Sequence, residues 1–124
     1  LFSVFAWVKG GAPGQVIVSQ EKGADWLMAA ALGALATELK SSRGGPLTSS
    51  TVITDGSWHR VGVVRDDADR ILYVDDVEVA REAVPGIVGT TGGLYIGGGS
   101  TLTPGTFWSG LIDDVRIYNG VVRP

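Results

Sequence analysis

Thirteen carboxylates dominate the side chains that could do chemistry here, and five of them, all aspartates, fall within RDDADRILYVDD, residues 65–76. Oxygen-rich spacing of this kind invites comparison with a calcium loop. Counted from Asp67, the residues Asp67, Asp69, Asp75 and Glu78 take positions one, three, nine and twelve of a twelve-residue calcium loop. Position five is Ile71, which has no side-chain oxygen, and position six is Leu72, where the sharp turn needs glycine. The run between the acids reads as a strand, which at roughly 3.3 Å per residue would hold Asp69 and Asp75 about 20 Å apart. A calcium ion holds its oxygens at about 2.3–2.6 Å. The cluster therefore reads first as turn chemistry, with a calcium site shared with other loops as the alternative. Asp66, Asp67 and Asp69 serve one connection, where short carboxylates accept local backbone N–H groups, and Asp75-Asp76 begins the next.

Two further groups need a reading. The single histidine, His59, has no cysteine to share a metal with and no signature linking it to a serine nucleophile, so it reads as structural or surface. Asp113 lies in FWSGLIDDVRIYN, where strict alternation puts it on the face of Leu111, Val115 and Ile117. Its carboxylate is then expected to point inward and to need a donor or a cation.

The chain that must position these groups has 124 residues, one domain by length and long enough to bury roughly two-thirds of its unfolded surface. A hydrophobic fraction of 44% suits a folded protein, and 19 glycines with 5 prolines signal many turns and short strands. The formal net charge is −3, with arginines and lysines scattered among the acids. No basic run could neutralise phosphates, which argues against a nucleic-acid partner. Without cysteine, disulfides, thiol catalysis and cysteine–zinc sites are ruled out. No apolar run approaches the ~20 residues that cross a bilayer, so membrane insertion is not expected.

Alternation supplies the elements. Phe2, Val4, Ala6 and Val8 share one face of an opening strand, with Phe5 and Trp7 on the other. QVIVSQ is a second strand after the GGAPG break. WLMAAALGALATELK (26–40) is rich in helix formers, so propensity reads helix against a competing hairpin that turns near Gly33. WHRVGVVR, RILYVD and VEVARE read as strands, LYIGG as a short one and FWSGLIDDVRIYN as a long final one. The pattern is all-β, an antiparallel β-sandwich or jelly roll.

DGSWHRVGVVRDDADRILYVDDVEVA resembles the signature of laminin G-like domains of the concanavalin A-like lectin/glucanase superfamily. There a Trp-His pair starts a strand, and a hairpin leads on to Leu-Tyr-Val-Asp-Gly. Trp58-His59, Val61-Gly62 and Leu72-Tyr73-Val74-Asp75 stand in those places, with Asp76 where glycine is usual. Aspartate still tolerates a left-handed turn. LYIGG (94–98) resembles the Leu-x-Ile-Gly strand, FWSGLIDDVRIYNGVV the closing block, and SVFAWVKG the early tryptophan-containing strand. The blocks keep their order, so the resemblance implies one laminin G-like domain over residues 1–124 with a concanavalin A-like jelly roll. It also implies paired strands over 26–40. Strands that usually precede SVFAWVKG are missing, which implies an N-terminally shortened sandwich with an unpaired central edge.

The resemblance shapes the functional expectations too. Glucanases of the superfamily carry Glu-x-Asp-x-x-Glu on one strand, so that paired carboxylates share a face. None of Glu21, Glu38, Glu78 and Glu82 begins that motif, so no catalysis is expected and a degenerate glycoside hydrolase is the weakest reading. Trp7, Trp58 and Trp108 coincide with family core positions and are assigned to packing, leaving Trp26 and Tyr95 as the aromatic candidates for ligand binding. Some relatives bind structural calcium near their termini, which makes Asp113 and Asp114 the candidate metal ligands. Two readings result. One is an extracellular or cell-surface recognition and adhesion module for a glycan or protein. The other is a structural subunit whose open edge is completed by a neighbouring chain, giving a homo-oligomer or filament.

Overall fold

The structure, a computed structural model, describes residues 2–21, 24–38, 46–66, 68–83 and 93–124. Its strands are β1 (Phe2–Lys9), β2 (Val16–Gln20), β3 (Asp25–Ala29), β4 (Ala34–Thr37), β5 (Leu47–Val52), β6 (His59–Arg65), β7 (Asp69–Val74), β8 (Val77–Ala83), β9 (Leu94–Ile96) and β10 (Leu111–Asn119). They form two five-stranded antiparallel sheets, ordered β10-β1-β6-β7-β8 and β5-β4-β3-β2-β9. This is the expected all-β sandwich. Among the described residues, no helix is long and apolar enough to cross a membrane.

The alternating residues of the first sheet sort cleanly between two environments. Val4, Ala6 and Val8 of β1, Val61 and Val63 of β6, and Leu72 and Val74 of β7 face the second sheet. There they pack on Val18, Trp26, Leu27, Ala29 and Leu35. The opposite face carries a smaller cluster of Phe5, Val64, Ile71 and Tyr73, with Tyr118 against it. Arginines cover that cluster. The guanidinium of Arg60 stands 4.4 Å from the centroid of Phe5, and Arg81, the register partner of Ile71, pairs with Asp69 and Glu78. Their aliphatic stems shield apolar surface while the charged heads stay wet.

The connections obey the turn chemistry read from the aspartates. Asp66 Oδ1 accepts the N–H groups of Ala68 at 2.9 Å and Asp69 at 2.7 Å, closing the β6–β7 turn. Asp75 and Asp76 have φ of +52° and +67°, the two left-handed residues that a tight hairpin between β7 and β8 demands. Asp67 lies outside the described residues.

The segment from Trp26 is a hairpin despite its helix-forming composition. β3 and β4 pair through Met28–Ala36 and Ala29–Leu35 around a single 3-10 turn at Ala31–Gly33. Pairing buries Leu27, Ala29, Leu35 and Ala36 together, and that tertiary gain overrides a propensity of a few tenths of a kcal/mol per residue. Gly33 adopts φ +82° and sits so close to Thr54 that a Cβ would overlap its hydroxyl. Leu39 and Lys40 lie outside the described residues.

Two expectations about the termini are corrected. β1 has no unpaired edge, because β10 bonds to one side of it and β6 to the other. The chain after β10 also folds back on β1, where Ser3 Oγ donates to the Gly120 carbonyl and accepts the Val122 N–H, both at 2.8 Å. The second correction concerns Asp113. Phe5 pairs with Arg116 but Trp7 pairs with Asp113, so two β10 residues, Asp114 and Val115, oppose the single Ala6. This β-bulge, with Asp114 at φ +49°, shifts the alternation by one residue. Ile112 and Val115 pack on the main core, while Asp113 is turned outward beside Trp7 and exposed. A bulge of this kind also blunts β10 as a template for another strand.

The outer cluster leaves no room at Gly62, whose added Cβ would overlap the ring of Phe5. Because Phe5 is buried under Arg60, Gly62→Ala is expected to lower stability by about 1–3 kcal/mol, the usual cost of overpacking. Urea unfolding measures it. An unchanged midpoint would show that the ring moves aside freely.

Candidate functional site

At the bulged end of the first sheet an open pocket of about 460 Å³ is lined by Trp7, Trp58, Asp113 and Asp114. Three local features build it. Alternation along β1 turns Trp7 away from the core, since its neighbours Ala6 and Val8 are the inward residues. Trp58 precedes β6 two residues before Arg60, the register partner of Trp7, so it falls on the same side. The bulge then brings Asp113 out against Trp7 and leaves Asp114 at the rim. The volume lies in the range of small-molecule sites, roughly 300–1,000 Å³.

Trp7 and Trp58 are 39% and 42% exposed, so their assignment to packing is overturned. Large indoles left in water on a sheet face are informative, because burial is where such side chains normally repay their size. The missed signal was the phase of the strand. Trp7 alternates with Ala6 and Val8, and that phase separates it from the core however apolar it is. Trp108 does pack against the main core, with its Nε1 donating to the Leu111 carbonyl at 3.2 Å.

The two aromatic candidates lie elsewhere. Trp26 is buried between the sheets and stacks on Phe2 with centroids 4.7 Å apart, which leaves its ring no open face for a ligand. Tyr95 is half-buried on β9, across from Ser19. Neither lines the pocket. The two acidic candidates do line it. Asp114 Oδ1 accepts Arg116 Nε at 2.9 Å, which raises the pKa of that arginine, and Asp113 Oδ1 accepts the backbone N–H of Asp114 at 2.8 Å. These residues do not fit a calcium ion. A calcium shell takes six to eight oxygens, whereas here one of two carboxylates is already ion-paired. Among the described residues, no group of three His, Cys, Asp or Glu side chains could hold a metal.

His59, next to Trp58, ties the neighbouring loops together. Its Nδ1 lies 2.8 Å from Asp75 Oδ2 and its Nε2 lies 2.8 Å from Asp55 Oδ1. Asp75 Oδ1 also accepts the Arg60 N–H at 3.1 Å. Both ring nitrogens can donate only when the imidazole is protonated. Burial pulls its pKa down, but the hydrogen bonds to Asp75 and Asp55 outweigh burial and leave it above the ordinary 6.5. The hydrogen bond from His59, helped by the Ser57 N–H, holds Asp55 below the ordinary 3.8. With both nitrogens engaged by carboxylates, this clasp ties the segment before β6 to the β7–β8 turn.

The sign of the pH dependence follows from those directions. The His59 contribution is complete below its unfolded pKa and is lost as pH rises through the raised folded value. The Asp55 contribution is complete above its unfolded pKa and is lost as pH falls through the lowered folded value. Stability should therefore decline as pH climbs above about 6.5, and His59→Gln should flatten that decline. Urea midpoints across a pH series test it. Parallel curves for both proteins above neutrality would remove the clasp from the account.

One comparison with known proteins completes the description. A laminin G family model, described as the concanavalin A-like lectin/glucanases superfamily, matches residues 1–124.

Proposed function

The chain belongs to the laminin G-like branch of the concanavalin A-like lectin/glucanases superfamily, and on that footing we propose that it is a non-catalytic recognition module that binds saccharides across Trp7 and Trp58. Domains of this family are generally non-catalytic, typically extracellular, and often bind glycans or proteins. Recognition at the cell surface or outside the cell is the setting that accords with them.

One observation carries the reading. Two solvent-facing indoles and two carboxylates converge on a single pocket. Indole faces offer flat apolar surface to the C–H face of a sugar ring, and carboxylate oxygens accept its hydroxyls through charge-assisted hydrogen bonds. Few polar groups set in an aromatic surface are what fix the orientation of a small ligand. The absence of chemistry has its own support. Glu78 and Glu82 are committed to Arg81 and Arg70, and Asp114 to Arg116, so these carboxylates are held as ion pairs. For Glu78 the hydrogen bond from Arg81 holds the pKa below its ordinary value, whereas a general acid needs it raised toward neutrality.

Screening of a glycan panel by tryptophan fluorescence is the direct test. Trp7→Ala and Trp58→Ala should each weaken a bound saccharide by about 1–3 kcal/mol, the cost of removing an aromatic anchor. Both variants should stay folded and lose less stability than a core truncation, because each ring is about two-fifths exposed, and melting curves check this. Trp26→Ala is the contrast. It should destabilise the fold by about 3–5 kcal/mol without changing the affinity of the folded fraction. Wild-type affinity in the Trp7 and Trp58 variants would overturn the proposal.

A further inference from the structure

The charge around the pocket narrows the kind of sugar. Of its two carboxylates, Asp114 is matched by Arg116, while Asp113 meets only the Asp114 N–H and has no cationic partner among the described residues. None of the four lining residues is basic. Three cations stand around it on this sheet: Arg116 is bound to Asp114, exposed Lys9 lies two residues beyond Trp7 on the same face, and Arg60 is the register partner of Trp7. The Arg60 guanidinium is held over Phe5 and ion-paired with Asp76 at 2.5 Å. The site therefore joins two electron-rich indole faces to one carboxylate that no described cation pairs with. Each part attracts a cation. Indole faces hold an ammonium by its attraction to the ring quadrupole, and a free carboxylate accepts its N–H donors. Both parts repel a second carboxylate or a sulfate.

Resting on the saccharide reading above, we propose that the pocket selects sugars that carry a free, protonated amine over their N-acetylated and acidic counterparts. The ring stacks on one indole, and the ammonium lies toward Asp113 within reach of the second. N-acetylation removes the charge while keeping the ring, so it isolates the electrostatic part of recognition. A uronate keeps the ring and reverses the charge.

The test is a titration of the intact protein with three oligosaccharides of equal length at mildly acidic pH, where the sugar amine is protonated. They are a glucosamine oligomer, its fully N-acetylated form and a uronate oligomer. The expected order is amine first by about fivefold over the acetylated form, in line with one exposed cation–π contact plus one surface ion pair, with the uronate weakest. Added salt should shrink the difference. Asp113→Asn together with Asp114→Asn should cut the amine preference to about two- to threefold, the part left to the indoles. The replacements are isosteric and asparagine accepts the left-handed backbone at position 114, so folding is retained, which a melting curve checks. Equal or tighter binding of the acetylated form would overturn the amine selectivity and leave the saccharide reading standing. So would a preference that the double substitution leaves undiminished. Failure of all three oligosaccharides to bind would overturn the saccharide reading and this inference with it.

Discussion

β1 is hydrogen-bonded along both edges, to β10 on one side and β6 on the other, and the rest of the molecule depends on that double commitment. A strand held on both sides cannot rotate, so its alternation becomes a sorting rule. Val4, Ala6 and Val8 go to the core, while Ser3, Phe5 and Trp7 go to the opposite face. A slip of one residue would exchange the two sets and expose the valines. The close approach of the strands is protected by small residues. Gly62 passes beneath Phe5, and Gly110 meets the Lys9 backbone, where a Cβ has no space.

The outward face of this sheet is divided along its length. Over the middle, arginine stems cover Phe5 and Ile71, so that apolar surface is not left to water. The end of the chain returns across Ser3, and Arg123 reaches Asp66 at 3.1 Å. At the bulged end the described residues leave Trp7 and Trp58 39% and 42% exposed. The same sheet is thus a sealed structural surface in one part and a wet aromatic one in another. The doubly bonded His59 holds the loop beside Trp58 in place, and an aromatic surface that is not packed against a core needs such fixing to present a constant geometry.

Much of the fold was legible without coordinates. The alternation in Phe2–Val8, Val61–Val63 and Leu72–Val74 marks inward residues because a strand has only two faces. Asp66 and Asp75-Asp76 announce turns because short carboxylates satisfy local N–H groups and tolerate positive φ. The hairpin after Trp26 was less legible. Ala, Leu and Met favour a helix locally, and only burial against the other sheet reverses that preference. The candidate site was least legible. Trp7 and Trp58 carry the composition of a core, and Asp113 carries the apparent phase of an inward residue.

The chain by itself determined that strands would form, which faces most of them would bury, and where they would turn. Those properties depend on neighbours a few residues away. What only the tertiary structure decided was the register of β10 against β1. Two residues there stand opposite one, a mismatch that no local pattern encodes because it arises between segments more than a hundred residues apart. That single extra residue turns Asp113 from the core to the surface and sets it beside Trp7. It makes a pocket out of side chains that the sequence had assigned separately to packing and to metal.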